Sequence, residues 1–149
     1  IREVFLDYYN SHIADTTVPY PGIPEMLGQL SQAGIRLAVA SNKYQDGVTK
    51  LISHFFPDID WAAVEGQKEG IPTKPDPSIV FEILGKSPTP KAGVLYVGDS
   101  GVDMETARRA CVDSIGVAWG FRPVKELRDH HADHIVTLPS EIVGLARDL

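Results

Sequence analysis

The sequence predicts an α/β protein built on a parallel sheet with helices on both faces. Three observations carry this expectation. Short apolar runs of buried-strand type recur along the chain: "IRLAVA" over 35–40, "GVLYV" over 93–97 and "SIGVAW" over 114–119. Strands covered on both faces read as such continuous runs rather than as alternating ones. The segments between them carry apolar residues at helical spacing, and Gly- and Pro-containing turns separate the two kinds. Strand and helix in alternation are the pattern of a parallel sheet with crossover helices.

Each element has its own justification. Val4, Phe5, Tyr8, Tyr9, His12 and Ile13 fall at helical spacing, so residues 1–13 are expected to form an amphipathic helix. "ADTTVPYPGI" follows as a turn-rich connector, and it is the one plausible domain boundary. Met26, Leu27, Leu30 and Ala33 mark the next helix, ended by Gly34. The strand over 35–40 comes next and is broken by "SNKYQD". Val48, Leu51, Ile52 and Phe55 support a helix, "WAAVEG" a short strand, and "QKEGIPTKPDP" a loop. Ile79, Val80, Ile83 and Leu84 define another helix, which leads into the strand over 93–97. A helix from about Val102, the strand "SIGVAW", a short helix over 124–128, the short strand "HIV" and a last helix over 140–149 complete the series.

With 149 residues, 43% of them hydrophobic and 23% charged, the chain has the size and composition of one ordinary globular domain. A net charge of -6 disfavours nucleic acid or an anionic membrane surface as the main partner. It leaves room for a local positive site that takes an anionic substrate. Cys111 is the lone cysteine, which excludes an internal disulfide and fits a reducing, cytoplasmic compartment. No apolar run approaches the roughly 20 residues of a membrane-spanning helix. The sequence does not begin with methionine, so Ile1 is not expected to be a natural start.

In open parallel sheets, ligands bind at the carboxyl ends of the strands, and three such ends carry polar groups. Ser41 and Asn42 follow the first apolar run. A hydroxyl and free backbone N–H groups there can hold phosphate oxygens, although the same residue types also start turns and cap helices. Lys74 precedes Pro75, which biases it toward an extended conformation, and Asp76 and Pro77 suit the start of a helix. A lysine fixed in this way can neutralise charge on a phosphoryl group, although most lysines are solvated loop residues. Asp99 and Asp103 straddle a strand-to-helix turn beside Gly98 and Gly101. Ser100 and Asp103 resemble a capping box, and carboxylates in a first turn complement the helix dipole. Yet Asp99 ends an apolar strand, where a carboxylate is costly without a partner. Hard oxygen donors in this arrangement suit Mg²⁺. Taken together, the hydroxyl, the lysine and the carboxylate pair form the outfit of a phosphoryl-transfer centre.

These segments resemble the haloacid dehalogenase superfamily, in its phosphoglycolate phosphatase-like branch. "YPGIPEMLGQLSQAGIRLAVASNK" resembles the approach to that family's second motif, matched by Ser41. "KPDPSIVFEIL" resembles the third, matched by Lys74, and "VLYVGDSGVDMETARRA" the fourth, matched by Asp99 and Asp103. "SIGVAWGFRP" and "ADHIV" are also similar to this branch, and the agreement is closest over 20–123. Cys111 stands where the family usually has glycine. The first motif, an Asp-x-Asp-Gly-Thr sequence that supplies the nucleophile and the general acid/base, does not occur.

The resemblance implies a Rossmann-like three-layer core over 20–149, with residues 1–19 as the last helix of a cap and its connector. It also implies that the central nucleophile strand is absent from this chain. The two strands that flank its place then have to leave a gap, pair directly, or accept a strand from elsewhere, and a missing N-terminal segment is expected to complete the sheet. For the complete protein the resemblance implies Mg²⁺-dependent hydrolysis of a small phosphorylated metabolite through an aspartyl-phosphate. Asp99 and Asp103 would hold the metal. Ser41 and Asn42 would bind the phosphoryl oxygens. Lys74 would neutralise charge and orient the nucleophile. The chain alone is expected to be inactive.

Several alternatives stand beside this one. One is a non-catalytic pseudophosphatase or interaction module, and another is a sugar phosphomutase relative. A dehalogenase needs no carboxylate pair for metal, and a receiver domain places its acidic residues before its lysine. "DHHADH", with His130, His131 and His134, lacks a recognised zinc spacing and is expected to be a polar surface loop.

Overall fold

A computed structural model describes residues 3–6, 21–120 and 122–148. The elements are β1 (Glu3–Leu6), α1 (Ile23–Gln32), β2 (Arg36–Tyr44), α2 (Gln45–Phe55), β3 (Ala63–Gln67), α3 (Ser78–Lys86), β4 (Val94–Gly98), α4 (Gly101–Ala110), β5 (Asp113–Val117), α5 (Val124–Asp129), β6 (His134–Val136) and α6 (Pro139–Arg147), and from α1 onward they alternate as expected. The strands form one six-stranded sheet in the order β3-β2-β1-β4-β5-β6, with every pairing parallel.

Side chains alternate across the sheet and so divide the core in two. Val4, Leu6, Leu37, Val39, Leu95, Val97, Ile115 and Val117 join buried residues of α1, α2 and α6 on one face. Phe5, Ala38, Ala40 and Tyr96 join buried residues of α3 and α4 on the other. The result is a three-layer α/β/α sandwich, as the sequence predicts.

The first element departs from expectation. Over Glu3–Leu6 the expected helix is a strand, and the rest of the segment assigned to the cap helix and connector lies outside the described residues. β1 fills the central place of the sheet. Glu3, Val4, Phe5 and Leu6 pair with 36–39 of β2 on one side and with 94–97 of β4 on the other. Of the three outcomes expected for the strands flanking that place, neither a gap nor direct pairing occurs. They accept a strand, and it comes from this chain's own residues rather than from a further segment. The physical reason is that a gap would bury two rows of unpaired backbone groups. "EVFL" is also short and apolar enough that periodicity cannot assign it, and all four residues are buried. Glu3 is accommodated because Ser87 Oγ and Thr89 Oγ1 donate to its Oε1 at 2.7 and 2.9 Å, with Arg36 Nε 3.7 Å away.

β2 also runs further than expected, through Ser41 and Asn42 to Tyr44. Its register with β3 shifts between Ala40 and Tyr44. The Gln45 side chain covers this irregularity. Its Nε2 donates to the Val64 carbonyl at 2.8 Å, and its Oε1 accepts from the Gly66 N–H at 2.7 Å. A glycine is required at 66, because a Cβ there would lie 2.6 Å from the Lys43 carbonyl oxygen.

Candidate active site

The site is built at the carboxyl ends of β2 and β4, where the sequence directs attention. Gly98 ends β4, and the chain turns through Asp99 and Ser100 into α4. Ser100 is the N-cap of α4. Its Oγ accepts from the Asp103 N–H and donates to Asp103 Oδ2 at 2.9 Å. The cap and the carboxylate pair are therefore parts of one arrangement. The Asp99 N–H also points to Asp103 Oδ2, at 3.3 Å.

Asp103 is fully buried, and it is the hub of the site. Its Oδ1 lies 2.8 Å from Lys74 Nζ and 3.4 Å from the Tyr96 hydroxyl. The Lys74 side chain is 3% exposed, so this is an ion pair withdrawn from water. Such a pair is held by geometry and added hydrogen bonds more than by net stabilisation. The glycine before Asp99 is what lets Asp103 fold back over the strand end. A Cβ at Gly98 would stand 2.3 to 2.6 Å from Asp103 side-chain atoms.

Lys74 is anchored from the neighbouring strand. Asn42 Oδ1 accepts from the Lys74 N–H at 2.9 Å, and Asn42 Nδ2 donates to the Lys74 carbonyl at 3.4 Å. The sequence suggests that Asn42 offers a backbone donor, whereas in the structure its side-chain amide clamps the lysine loop. Ser41 is buried, and its Oγ accepts from the Lys43 N–H at 3.0 Å. Downstream of Lys74, Asp76 accepts from the Ser78 N–H at 2.9 Å and its carboxyl is held below the ordinary range, first by the Ser78 hydroxyl and then by that N–H. Hydrogen bonds thus link all three strand-end segments: Asn42 to Lys74, and Lys74 to Asp103.

Three further participants escape sequence reasoning. Tyr96 reaches Asp103 from within β4 while its ring packs edge-on against Phe5 at 6.5 Å. A tyrosine in an otherwise aliphatic run is the only signal of this. Gly120 lies against Asp99, and a Cβ there would fall 2.6 Å from Asp99 Cβ and Oδ2. Glu126 of α5 accepts from the Gly101 N–H, the first helical residue of α4, through Oε2 at 2.7 Å. Nothing in the local sequence singles out that glutamate.

The donor set for a metal consists of carboxylate oxygens. Among the described residues no group of three or more His, Cys, Asp or Glu side chains converges. Two carboxylates on one turn, with the remaining positions left to water and phosphate, fit a small hard cation such as Mg²⁺. Asp99 is half-buried, and Asp103 is already engaged by Lys74, Ser100 and Tyr96. Asp99 and Asp103 are the two carboxylates of this turn that could hold such a cation, and the Asp99 N–H to Asp103 Oδ2 contact joins them.

The chain and its fold have known counterparts. The haloacid dehalogenase-like hydrolase family matches residues 1–117, and the chain belongs to that family. Among curated relatives it is similar to the phosphoglycolate phosphatase of Mesorhizobium japonicum, with 33% identity over 128 residues, covering 85% of this chain and 56% of that protein. It is also similar to that of Aquifex aeolicus, with 34% identity over 151 residues, covering 96% of this chain and 66% of the other. A crystal structure of a candidate phosphoglycolate phosphatase from Lactobacillus delbrueckii subsp. bulgaricus superposes with a TM-score of 0.81 and 37% identity, covering 87% of this chain and 54% of that one. The chain spans a little over half to two thirds of the length of these relatives. Among the described residues, no helix is long and apolar enough to cross a membrane.

Proposed function

We propose that this chain forms the phosphate- and metal-binding part of a Mg²⁺-dependent phosphomonoester hydrolase for small phosphorylated metabolites, of the 2-phosphoglycolate class. The observation that carries the reading is the buried Lys74–Asp103 pair, tied to the end of β2 through Asn42 and set beside Asp99. A cation that offsets phosphoryl charge, beside a carboxylate pair able to hold Mg²⁺, suits a phosphoryl-transfer site. The relatives named phosphoglycolate phosphatase, at 33 and 34% identity, support the substrate class.

In this reading Asp99 would anchor the metal, and Asp103 would hold it directly or through water. Mg²⁺, when bound, supplies charge neutralisation at a phosphoryl oxygen. Ser41 donates its hydroxyl to the phosphoryl group, with the Asn42 backbone N–H beside it. Lys74 neutralises developing charge, and Asp103 keeps the ammonium in place. Removing one such preorganised group typically costs about 3 kcal/mol in the barrier, roughly 100-fold in rate. Hydrolysis through an aspartyl-phosphate also needs a nucleophilic carboxylate, which the family places in an Asp-x-Asp-Gly-Thr motif that this sequence lacks. The 149-residue chain is therefore expected to bind Mg²⁺ without turning over substrate.

The test is a Mg²⁺ titration of the chain and of Asp99→Asn, followed calorimetrically, with hydrolysis of a generic phosphomonoester assayed in parallel. Binding lost in Asp99→Asn supports the reading. No Asp99-dependent binding favours a non-catalytic interaction module. Mg²⁺-dependent hydrolysis by the chain itself overturns the assignment of inactivity.

A further inference from the structure

The turn that carries Asp99 and Asp103 is held from outside by α5. Glu126 Oε2 accepts from the Gly101 N–H at 2.7 Å, and Arg122 Nη1 lies 3.8 Å from the other oxygen, Oε1. Gly101 is itself pressed against α5, since a Cβ there would fall 2.5 Å from the His130 ring. α5 therefore touches the turn twice, once with a glutamate from its middle and once with the histidine just past its end. Gly101 stands two residues after Asp99 and two before Asp103. Its peptide belongs to the short link between the two carboxylates. Of the N–H groups that open α4, that of Asp103 is taken by Ser100 from within the turn, while that of Gly101 is taken from α5.

We infer that Glu126 is a positioning residue for the metal site, fixing through the Gly101 N–H the backbone that sets the Asp99 and Asp103 carboxylates relative to each other. The inference rests on the metal reading of Asp99 and Asp103. Outer groups that orient ligands typically change metal affinity 10- to 100-fold when removed. Glu126 acts by accepting a hydrogen bond, so a glutamine, whose carbonyl oxygen can take the same place, preserves the role. An aspartate keeps the charge but is one methylene too short to reach.

Mn²⁺ is the probe, and its binding is read by electron paramagnetic resonance on the chain, Glu126→Gln, Glu126→Asp, Glu126→Ala and Asp99→Asn. Circular dichroism and exchange of the Gly101 amide are measured alongside. The expected result is affinity near that of the parent for Glu126→Gln, and a loss of about tenfold or more in Glu126→Ala and Glu126→Asp together with faster Gly101 exchange. Should Glu126→Ala fail to fold, the aspartate variant decides. If Asp99→Asn abolishes binding while the alanine and aspartate variants bind as the parent does, Glu126 has no positioning role and the metal reading stands. If Glu126→Gln loses as much as Glu126→Ala, charge rather than the hydrogen bond is responsible and the inference fails. Absence of Mn²⁺ binding in the parent overturns the metal reading, and this inference falls with it.

Discussion

Asp103 gathers more of the site than any other side chain, and its neighbours make its substitution informative. Asp103→Asn takes the counter-charge from the Lys74 ammonium at 2.8 Å while leaving Ser100 able to cap α4. Breaking one side of a buried pair costs about 3–5 kcal/mol, to be read by urea unfolding. Tyr96→Phe removes the hydroxyl that lies 3.4 Å from the same carboxylate and is expected to cost about 1 kcal/mol. Gly98→Ala is expected to be worse for metal than for folding, because its methyl occupies the space of the Asp103 carboxylate. Mn²⁺ binding by that variant checks the point. At this scale the sequence is half legible. Ser100, Asp99 and Asp103 are adjacent, so cap and carboxylate pair can be read from spacing alone. The Asn42 clamp on Lys74 and the Glu126 bond to Gly101 join residues far apart in the chain, and no local pattern encodes them.

Among the elements, β1 separates two readings experimentally. On an amphipathic helix over 1–13, Glu3 falls outside the apolar stripe and its removal costs little. In the strand it accepts from Ser87 and Thr89 within a buried pocket shared with Arg36. Glu3→Ala is therefore expected to destabilise the chain by about 1–3 kcal/mol, measured by thermal or denaturant unfolding. Burial of an isolated four-residue segment depends on what lies on either side, and the 3.6-residue spacing of apolar residues that extends beyond it favours helix in the sequence alone. The other elements are legible because their strands are continuous apolar runs and their helices carry clear stripes.

α6 adds a pH-dependent element. The Glu141 carboxylate accepts from the Thr137 N–H, the Thr137 hydroxyl and the Leu138 N–H, and these bonds hold its carboxyl below the usual 4.5. A carboxylate whose pKa is lower folded than unfolded contributes stability above the unfolded value, and loses it as pH falls through the folded one. Glu141→Gln is expected to melt below the parent at neutral pH, with the difference closing as pH falls from the unfolded value of 4.5 through the lower folded one. Thermal melts across that range check it. Glu65 behaves differently. Burial pushes its carboxyl up, but hydrogen bonds from Lys68 and Lys86 outweigh that and leave it below its ordinary value.

For the whole molecule, the metal reading has a thermodynamic consequence that needs no catalysis. A ligand that binds only the folded state stabilises it by about 2.7 kcal/mol at a hundredfold excess over Kd. Saturating Mg²⁺ is thus expected to raise the melting temperature of the parent and leave that of Asp99→Asn unmoved, as differential scanning calorimetry would show. The overall plan, a parallel sheet between two helical layers, is readable because hydrophobic continuity and turn chemistry agree along nearly the whole chain. The occupant of the sheet's centre is not, because strand order depends on which edges remain unpaired after the rest has assembled.

That central strand also sets a dimension. β2 leads to Ser41 and Asn42, β4 leads to Asp99, and β1 lies between them. Neighbouring strands are roughly 4.8 Å apart, so one intervening strand keeps the two rims about 9–10 Å from each other. β1 is in this sense the gauge block of the molecule. If it were withdrawn and β2 and β4 closed on each other, the gap between the hydroxyl rim and the carboxylate rim would halve. If the two rims hold a phosphoryl group as proposed, four buried residues, none of which need touch it, set the width available to it.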